Sequence, residues 1–268
     1  MNNNMDKTKH LQSLLLKMIK YIDEICIKND IEYYLLAGSS LGSVRHKGFI
    51  PWDDDLDIVM TYSNYNRFIE VCESQLKSEM FNLQKGEKDW PLPFSKIRLK
   101  GTYIKEVEMA DLEKSNQGIF IDIFRLDNVS NNKIVALWQY FCAKVFLTST
   151  IRERKYISAS IRKKILILFS YPLKIKSLKR FFKNQVEKYN NKETDFYGCF
   201  YCHGNFKSAV MRKSIYGTPV RIPFENLNLP VQEDVHEYLR LFFGDYMQLP
   251  PEKDRVGHHV VEIDFGKY

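Results

Sequence analysis

The chain has 268 residues, 44% of them hydrophobic, which is enough for one large globular core with an embellishment. Forty Lys and Arg against 33 Asp and Glu leave a net charge of +7, which suits an anionic partner such as a nucleotide or a phospholipid headgroup. No run of 18 uncharged apolar residues occurs and Met1 to Lys7 is polar, so neither a membrane span nor a secretory signal is expected. Five cysteines without even spacing read as reduced thiols of a cytoplasmic protein.

In chain order, Asp6 or Thr8 caps a helix whose apolar face is Leu11, Leu14, Leu15, Met18, Ile19, Ile22 and Ile25, ending at Asn29-Asp30. Ile31 to Ala37 reads as the first core strand. A Gly-Ser turn follows at Gly38-Ser39, where the strand ends and a short helix begins. Glycine there lets the backbone approach a ligand, and the N–H groups of a helix start favour a phosphate. Arg45 and Lys47 are placed to neutralise its remaining charge.

Pro51-Trp52 then leads into Asp53-Asp54-Asp55-Leu56-Asp57, four carboxylates in five residues. Such crowding is repulsive unless a cation or hydrogen bonds neutralise it. Magnesium, with manganese as the alternative, is the divalent ion that carboxylate oxygens favour. Leu56 to Met60 has strand character, so Asp55 and Asp57 share one face. Asp53 is in phase with them if the extended backbone reaches back that far, and Asp54 faces away.

Ser63 is expected to cap the next helix, through Leu76. Phe81 to Gln84 and Phe94 to Leu99 read as strands, and Tyr103 to Val107 as a hairpin partner after the Gly101-Thr102 turn. Gly118 to Phe124 is an apolar strand interrupted by Asp122. A lone carboxylate there is costly to bury unless it is paired or bound to metal. It reads either as a partly solvated position or as a third carboxylate facing Asp55 and Asp57, acting as metal ligand, general base or both.

From Asn131 to about Asn191 the chain turns helical and basic. Ile165 to Phe169, flanked by Arg162 to Lys164 and by Lys174 to Lys183, reads equally as an interfacial helix pair for an anionic membrane or as a packed helix with a solvated lysine face. No nucleic-acid-binding motif accompanies the charge, so no nucleic acid is expected. Cys199-Phe200-Tyr201-Cys202-His203 lacks the further ligands a zinc site needs and reads as buried thiols. Ser208 to Tyr216 and Thr218 to Phe224 look extended, Glu233 to Phe243 helical, and Asp245 to Arg255 a Pro-stiffened loop before His258-His259. The expected organisation is a catalytic core over 1–130, a helical basic insertion over 131–207, and a C-terminal part over 208–268 that completes the core.

Gly38-Ser39-Ser40-Leu41-Gly42, Arg45 and Gly48 to Ile58 together resemble the signature of the LicD family of phosphotransferases. Fukutin and the fukutin-related protein are its distant animal relatives. Gly118 to Asp127 is similar to the family's second block, with Arg125 where proline is usual. Phe94-Ser95-Lys96-Ile97, Phe224 to Leu227 and Phe243 to Pro251 resemble shorter blocks.

The resemblance implies an α/β (α+β) fold, with a nucleotidyltransferase-like mixed sheet flanked by helices. It also implies magnesium-dependent chemistry on a CDP-activated alcohol. Phosphocholine would pass from CDP-choline, or a related phospho-alcohol from another CDP-alcohol, to a sugar hydroxyl of teichoic acid, lipopolysaccharide or capsule, with CMP released. Asp55, Asp57 and Asp122 are the implied metal ligands, with Asp53 beside them. Gly38, Ser39, Arg45 and Lys96 are the implied phosphate-holding residues. Trp52 or Tyr103 is suited to a choline cation by its ring. Nucleotidyl transfer with release of pyrophosphate, ribitol or glycerol phosphate transfer, and a non-catalytic nucleotide-binding scaffold stand as alternatives. The expected location is the cytoplasm, peripheral at the inner membrane face, with a lipid-linked or polymeric glycan as acceptor.

Overall fold

A computed structural model describes residues 2–106, 117–153, 175–202, 204–257 and 260–268. Helix α1 (Asn2–Lys28) buries Leu11, Leu14, Leu15, Met18, Ile19, Ile22 and Ile25 along one stripe. Each such side chain contributes about 1.5–3 kcal/mol on leaving water, so this face anchors the helix to the sheet.

The main sheet has seven strands and mixed direction. Its path runs β1 (Tyr34–Leu35), β2 (Asp57–Thr61), β6 (Phe120–Val129), β4 (Ser95–Leu99) and β3 (Phe81–Gln84). Strand β6 is the axis. Its first half pairs with β2 in parallel and with β4 antiparallel, and its second half pairs with β7 (Phe196–Gly198). Ile58, Val59, Met60, Ile121, Ile123 and Leu126 are all fully buried. The unbroken apolar run of β2 belongs to a strand covered on both faces. Strand β7 carries β8 (Val210–Arg212) beside it, so the segment expected to be a helical insertion also extends the sheet.

The helices that position the site are α2 (Ala37–His46), α3 (Tyr62–Gln75), α4 (Lys133–Glu153), α5 (Lys176–Glu187) and α6 (Val235–Phe243). The last begins at an Asp234 cap whose carboxylate accepts from the Glu237 N–H, and ends at Gly244, as the sequence indicates. The basic stretch 154–174 and the histidines at 203, 258 and 259 lie outside the described residues. All five cysteines are buried free thiols, and Cys202 Sγ donates to the Cys199 carbonyl.

Several local expectations are corrected. The first core strand is only two residues long, because the chain turns at Asp30 (φ 54°) and again enters a left-handed conformation at Ala37 (φ 44°) to start α2. Helix α3 is capped by Thr61, whose Oγ1 accepts from the Asn64 N–H, since β2 runs directly into the helix and leaves Ser63 inside it. Strand β5 (Tyr103–Glu106) does not fold back on β4. Both edges of β4 are already taken by β3 and β6, so β5 pairs with β11 (Val260–Asp264). The region 208–216 is not extended throughout. It forms single helical turns at Phe206–Ala209 and Lys213–Tyr216 around β8, the first capped by the Asn205 side chain. Strands β9 (Val220–Phe224) and β10 (Leu227–Val231) then make a separate hairpin.

Gly42 shows why the Gly-Ser segment tolerates little change. A Cβ at this position would sit 2.5 Å from the Gly48 carbonyl oxygen and 3.3 Å from the Ile50 nitrogen. Alanine inside a helix ordinarily gains up to about 1 kcal/mol over glycine. Overpacking against rigid backbone costs about 1–3 kcal/mol, so the clash wins. Gly42→Ala is therefore expected to lower the urea midpoint, whereas an unchanged or raised midpoint would show that the loop at 48–50 yields freely.

Candidate active site

The register of the central strands brings three charged residues into one row. Asp57 on β2 stands opposite Asp122 on β6, and Asp122 stands opposite Lys96 on β4. Residues in register on neighbouring strands project to the same face of the sheet. Lys96 Nζ lies 2.8 Å from Asp122 Oδ1. The lysine is only 1% exposed, and its ammonium sits 3.3 Å from the Phe120 ring centroid and 4.9 Å from that of Trp90. Phe94 closes the cage at 5.7 Å.

Above this row lies the carboxylate loop. Ligand oxygens of Asp53, Asp54 and Asp55 all fall within 4.8 Å of one another. The loop is not an extended lead-in to β2. The Asp53 N–H donates to the Ile50 carbonyl in a turn around Pro51-Trp52, and the strand begins only at Asp57. Simple alternation therefore does not govern 53–56. Asp54 does turn partly away, accepting at Oδ2 from the Val260 N–H at 3.2 Å, yet it still contributes an oxygen to the cluster. Gln12 holds the loop from below, donating from Nε2 to the carbonyls of Ile50 and Asp53.

Electrostatics follow from this crowding. Burial pushes the Asp57 carboxyl well above the ordinary carboxylate range, and Asp55 and Asp122 push it further, while Lys96 opposes them. Asp53 is raised for the same reasons, burial first and then its neighbours Asp55 and Asp54. Asp55, Asp122 and Asp53 all act on Asp57 in the same direction. The donors are all carboxylate oxygen, and those of Asp53, Asp54 and Asp55 lie together. That fits a hard divalent cation such as magnesium or manganese.

Helix α2 supplies the wall of the site. A Cβ on Gly38 would lie 3.1 Å from Asp53 Oδ2, so this glycine abuts the carboxylate loop. Ser39 Oγ accepts from the Asp57 N–H at 2.9 Å and ties the helix start to β2. The Ala37 N–H donates to Tyr238 Oη on α6, which holds the strained entry to α2. Ser40 is buried and donates to the Leu35 carbonyl, with Gln232 alongside it.

Arg45 and Trp52 stand beside the C-terminal loop. Seven residues along α2 from Gly38, Arg45 is about 10 Å away by helical rise. Its Nη1 donates to the Tyr246 carbonyl at 2.9 Å, and burial with the nearby Arg255 lowers its pKa. Arg45 and Trp52 line a cavity of about 500 Å³ closed by Phe243, Tyr246 and Leu249 to Pro251. Trp52 also lines a second cavity of about 630 Å³ with Asp54, Arg255 and Glu262. The Arg255 guanidinium carbon is 5.7 Å from the Trp52 ring centroid. Gly38, Ser39, Asp53, Asp55, Asp57, Asp122 and Lys96 thus converge, whereas Arg45 and Trp52 flank the cluster beside the C-terminal loop.

Two contributors escape sequence reasoning. Glu225 accepts from the Phe49 N–H at 3.1 Å and packs against Gly48, so it braces the loop that carries the carboxylates. The aromatic residues around Lys96 come from two segments distant in sequence, Trp90 and Phe94 from the loop before β4 and Phe120 from β6. Only the apolar pattern of each was visible, not their convergence.

A family model described as "LicD/FKTN/FKRP, nucleotidyltransferase domain" matches residues 30–159, which contain the whole carboxylate row. The lipopolysaccharide cholinephosphotransferase LicD of Haemophilus influenzae is 30% identical over 256 residues, covering 94% of this chain and 95% of that protein. An uncharacterized protein of Rickettsia typhi is 40% identical over 57 residues, 21% of this chain and 18% of its own length. With a relative matched across nearly its full length and a site built from the matched segments, this chain belongs to the LicD family.

Proposed function

We propose that the protein transfers phosphocholine, or a related phospho-alcohol, from a CDP-activated donor to a sugar hydroxyl of a cell-surface glycan. The observation that supports this reading is the in-register pair Asp57 and Asp122 beside the Asp53 to Asp55 cluster, an oxygen-rich donor set of which Asp54 lines a cavity of about 630 Å³. Similarity to a lipopolysaccharide cholinephosphotransferase supports phosphocholine as the transferred group. Asp53, Asp55, Asp57 and Asp122 would hold magnesium. When bound, the ion neutralises the donor's diphosphate oxygens.

In the proposed reaction a bond forms between the acceptor hydroxyl oxygen and the phosphorus bearing choline. The bond from that phosphorus to the oxygen bridging to CMP breaks, and CMP leaves with that oxygen. The hydroxyl proton passes to a carboxylate of the cluster. Lys96 balances the charge on Asp122, and the α2 start at Gly38 and Ser39 lets the diphosphate approach the backbone. Arg45 and Arg255 border the cavities in which the rest of the donor would lie, and the Trp52 ring offers a face to a quaternary ammonium.

The test is incubation with magnesium, a glycan acceptor and, in turn, CDP-choline, CDP-ribitol, CDP-glycerol and CDP-ethanolamine. CMP release that requires both metal and acceptor is expected, with CDP-choline preferred. Pyrophosphate as the product from a nucleoside triphosphate would move the assignment to nucleotidyl transfer. Tight donor binding without turnover of any of them would leave only a nucleotide-binding protein.

A further inference from the structure

Helix α4 is apolar on both sides. Its inner side buries Ala136, Cys142, Ala143 and Phe146 against the core. On its outer side Ile134 is 78% exposed, Phe141 52%, and Leu137 and Trp138 each 43%. The spacing i, i+3, i+4, i+7 makes these four one continuous stripe. Trp138 and Phe141 stack with ring centroids 5.5 Å apart, so the stripe presents a joined aromatic surface. A helix apolar all round belongs in a core or in lipid. Among the described residues no helix is long and apolar enough to cross a membrane, so a lipid contact here would lie along the surface.

Charge decides what covers the stripe. Helix α5 packs antiparallel beside α4. Gln139 donates from Nε2 to the Val186 carbonyl, and further along Lys179 lies over the Phe146 ring. Helix α5 carries Lys176, Lys179, Arg180 and Lys183 against the single acid Glu187. Lys176, Arg180 and, at the start of α4, Lys133 are exposed. A second copy of the chain seated on this face about a two-fold axis would set basic helix against basic helix. An anionic bilayer is complementary to it, and Trp is the side chain that favours the headgroup level.

We infer that the outer face of α4 and α5 docks on an anionic membrane surface. Ile134, Leu137, Trp138 and Phe141 enter the boundary between headgroups and acyl chains, and Lys133, Lys176 and Arg180 meet lipid phosphates. This goes beyond the transferase reading and does not need it, because binding is read without donor or acceptor. It adds the outer stripe of α4 to the stretch 157–183 to which the sequence points, of which residues 157–174 lie outside the described residues.

The test is sedimentation of the full chain with vesicles of phosphatidylcholine alone or mixed with phosphatidylglycerol, at low and at high salt. Binding to mixed vesicles at least about tenfold stronger than to neutral ones is expected, weakened by salt. The double variants W138Q/F141Q and K176E/R180E, checked for fold by circular dichroism, should each lose about tenfold or more. The blue shift of tryptophan emission on vesicles should vanish in Trp138→Phe, which keeps an apolar ring at that position. No binding of the parent protein to mixed vesicles would overturn the inference, as would equal binding by both double variants. A parent dimer in solution that W138Q/F141Q converts to monomer would assign the face to a second copy instead.

Discussion

Asp57→Asn is expected to produce a protein that melts at a higher temperature in chelator and no longer turns over its donor. Burial, Asp55 and Asp122 all raise the Asp57 carboxyl. A carboxyl whose folded pKa lies above its unfolded value costs stability when ionised at neutral pH, and that cost fades as pH falls below the folded value. Asparagine keeps the shape and removes the charge. The backbone bonds of residue 57, from its N–H to Ser39 Oγ and from the Leu36 N–H to its carbonyl, remain available to the variant. The gain should be on the order of 2–4 °C for each kcal/mol relieved. Activity should fall by at least about a hundredfold, since the proposed cation site loses a ligand while the pocket stays intact. Magnesium should raise the melting temperature of the parent by ligand linkage and that of the variant far less. A variant less stable than its parent in chelator, and equally stabilised by magnesium, would mean that Asp57 is a structural residue.

Much of the carboxylate cluster is legible in the sequence, for a physical reason. Four carboxylates in five residues carry a repulsion that local structure alone does not relieve, and Asp122 in an apolar strand carries a desolvation cost. Both features are properties of composition along a short stretch. The strand order was not visible, because it depends on which edges are free. Asp57 and Asp122 meet because β2 and β6 pair in parallel, and Lys96 joins them because β4 takes the other edge of β6. The same rule sent β5 to β11 instead of β4, against the nearest-neighbour expectation for a hairpin. Arg45, which the family resemblance groups with the phosphate-holding residues, donates to the Tyr246 carbonyl of the C-terminal loop, a partner that no local pattern in the sequence indicates. Asp54 turns only partly away from the cluster, because the Pro51-Trp52 turn replaces the straight strand on which alternation depends.

Lys96→Met should do the reverse of Asp57→Asn. Lys96 is almost wholly buried, and its ammonium is the positive charge set directly against the carboxylate row, 2.8 Å from Asp122. Methionine fills similar space within the Trp90, Phe94 and Phe120 cage, so packing is largely preserved. What is lost is the charge, and removing one partner of a buried ion pair costs about 3–5 kcal/mol. In chelator the variant should therefore unfold at a markedly lower urea concentration than the parent. Magnesium should restore most of that loss, because in the proposed site a divalent cation among Asp53, Asp55, Asp57 and Asp122 would supply positive charge beside the place the lysine held. The metal dependence of stability, weak in Asp57→Asn, should thus be larger than the parent's in Lys96→Met. Combining the two substitutions should recover stability in chelator, since one removes a negative charge and the other a positive charge from the same buried row. Urea titrations of the four proteins, each with chelator and with magnesium, measure this directly. If the two effects simply add, and magnesium rescues Lys96→Met no better than the parent, then Lys96 does not share a charge balance with the carboxylates and the cation site lies elsewhere.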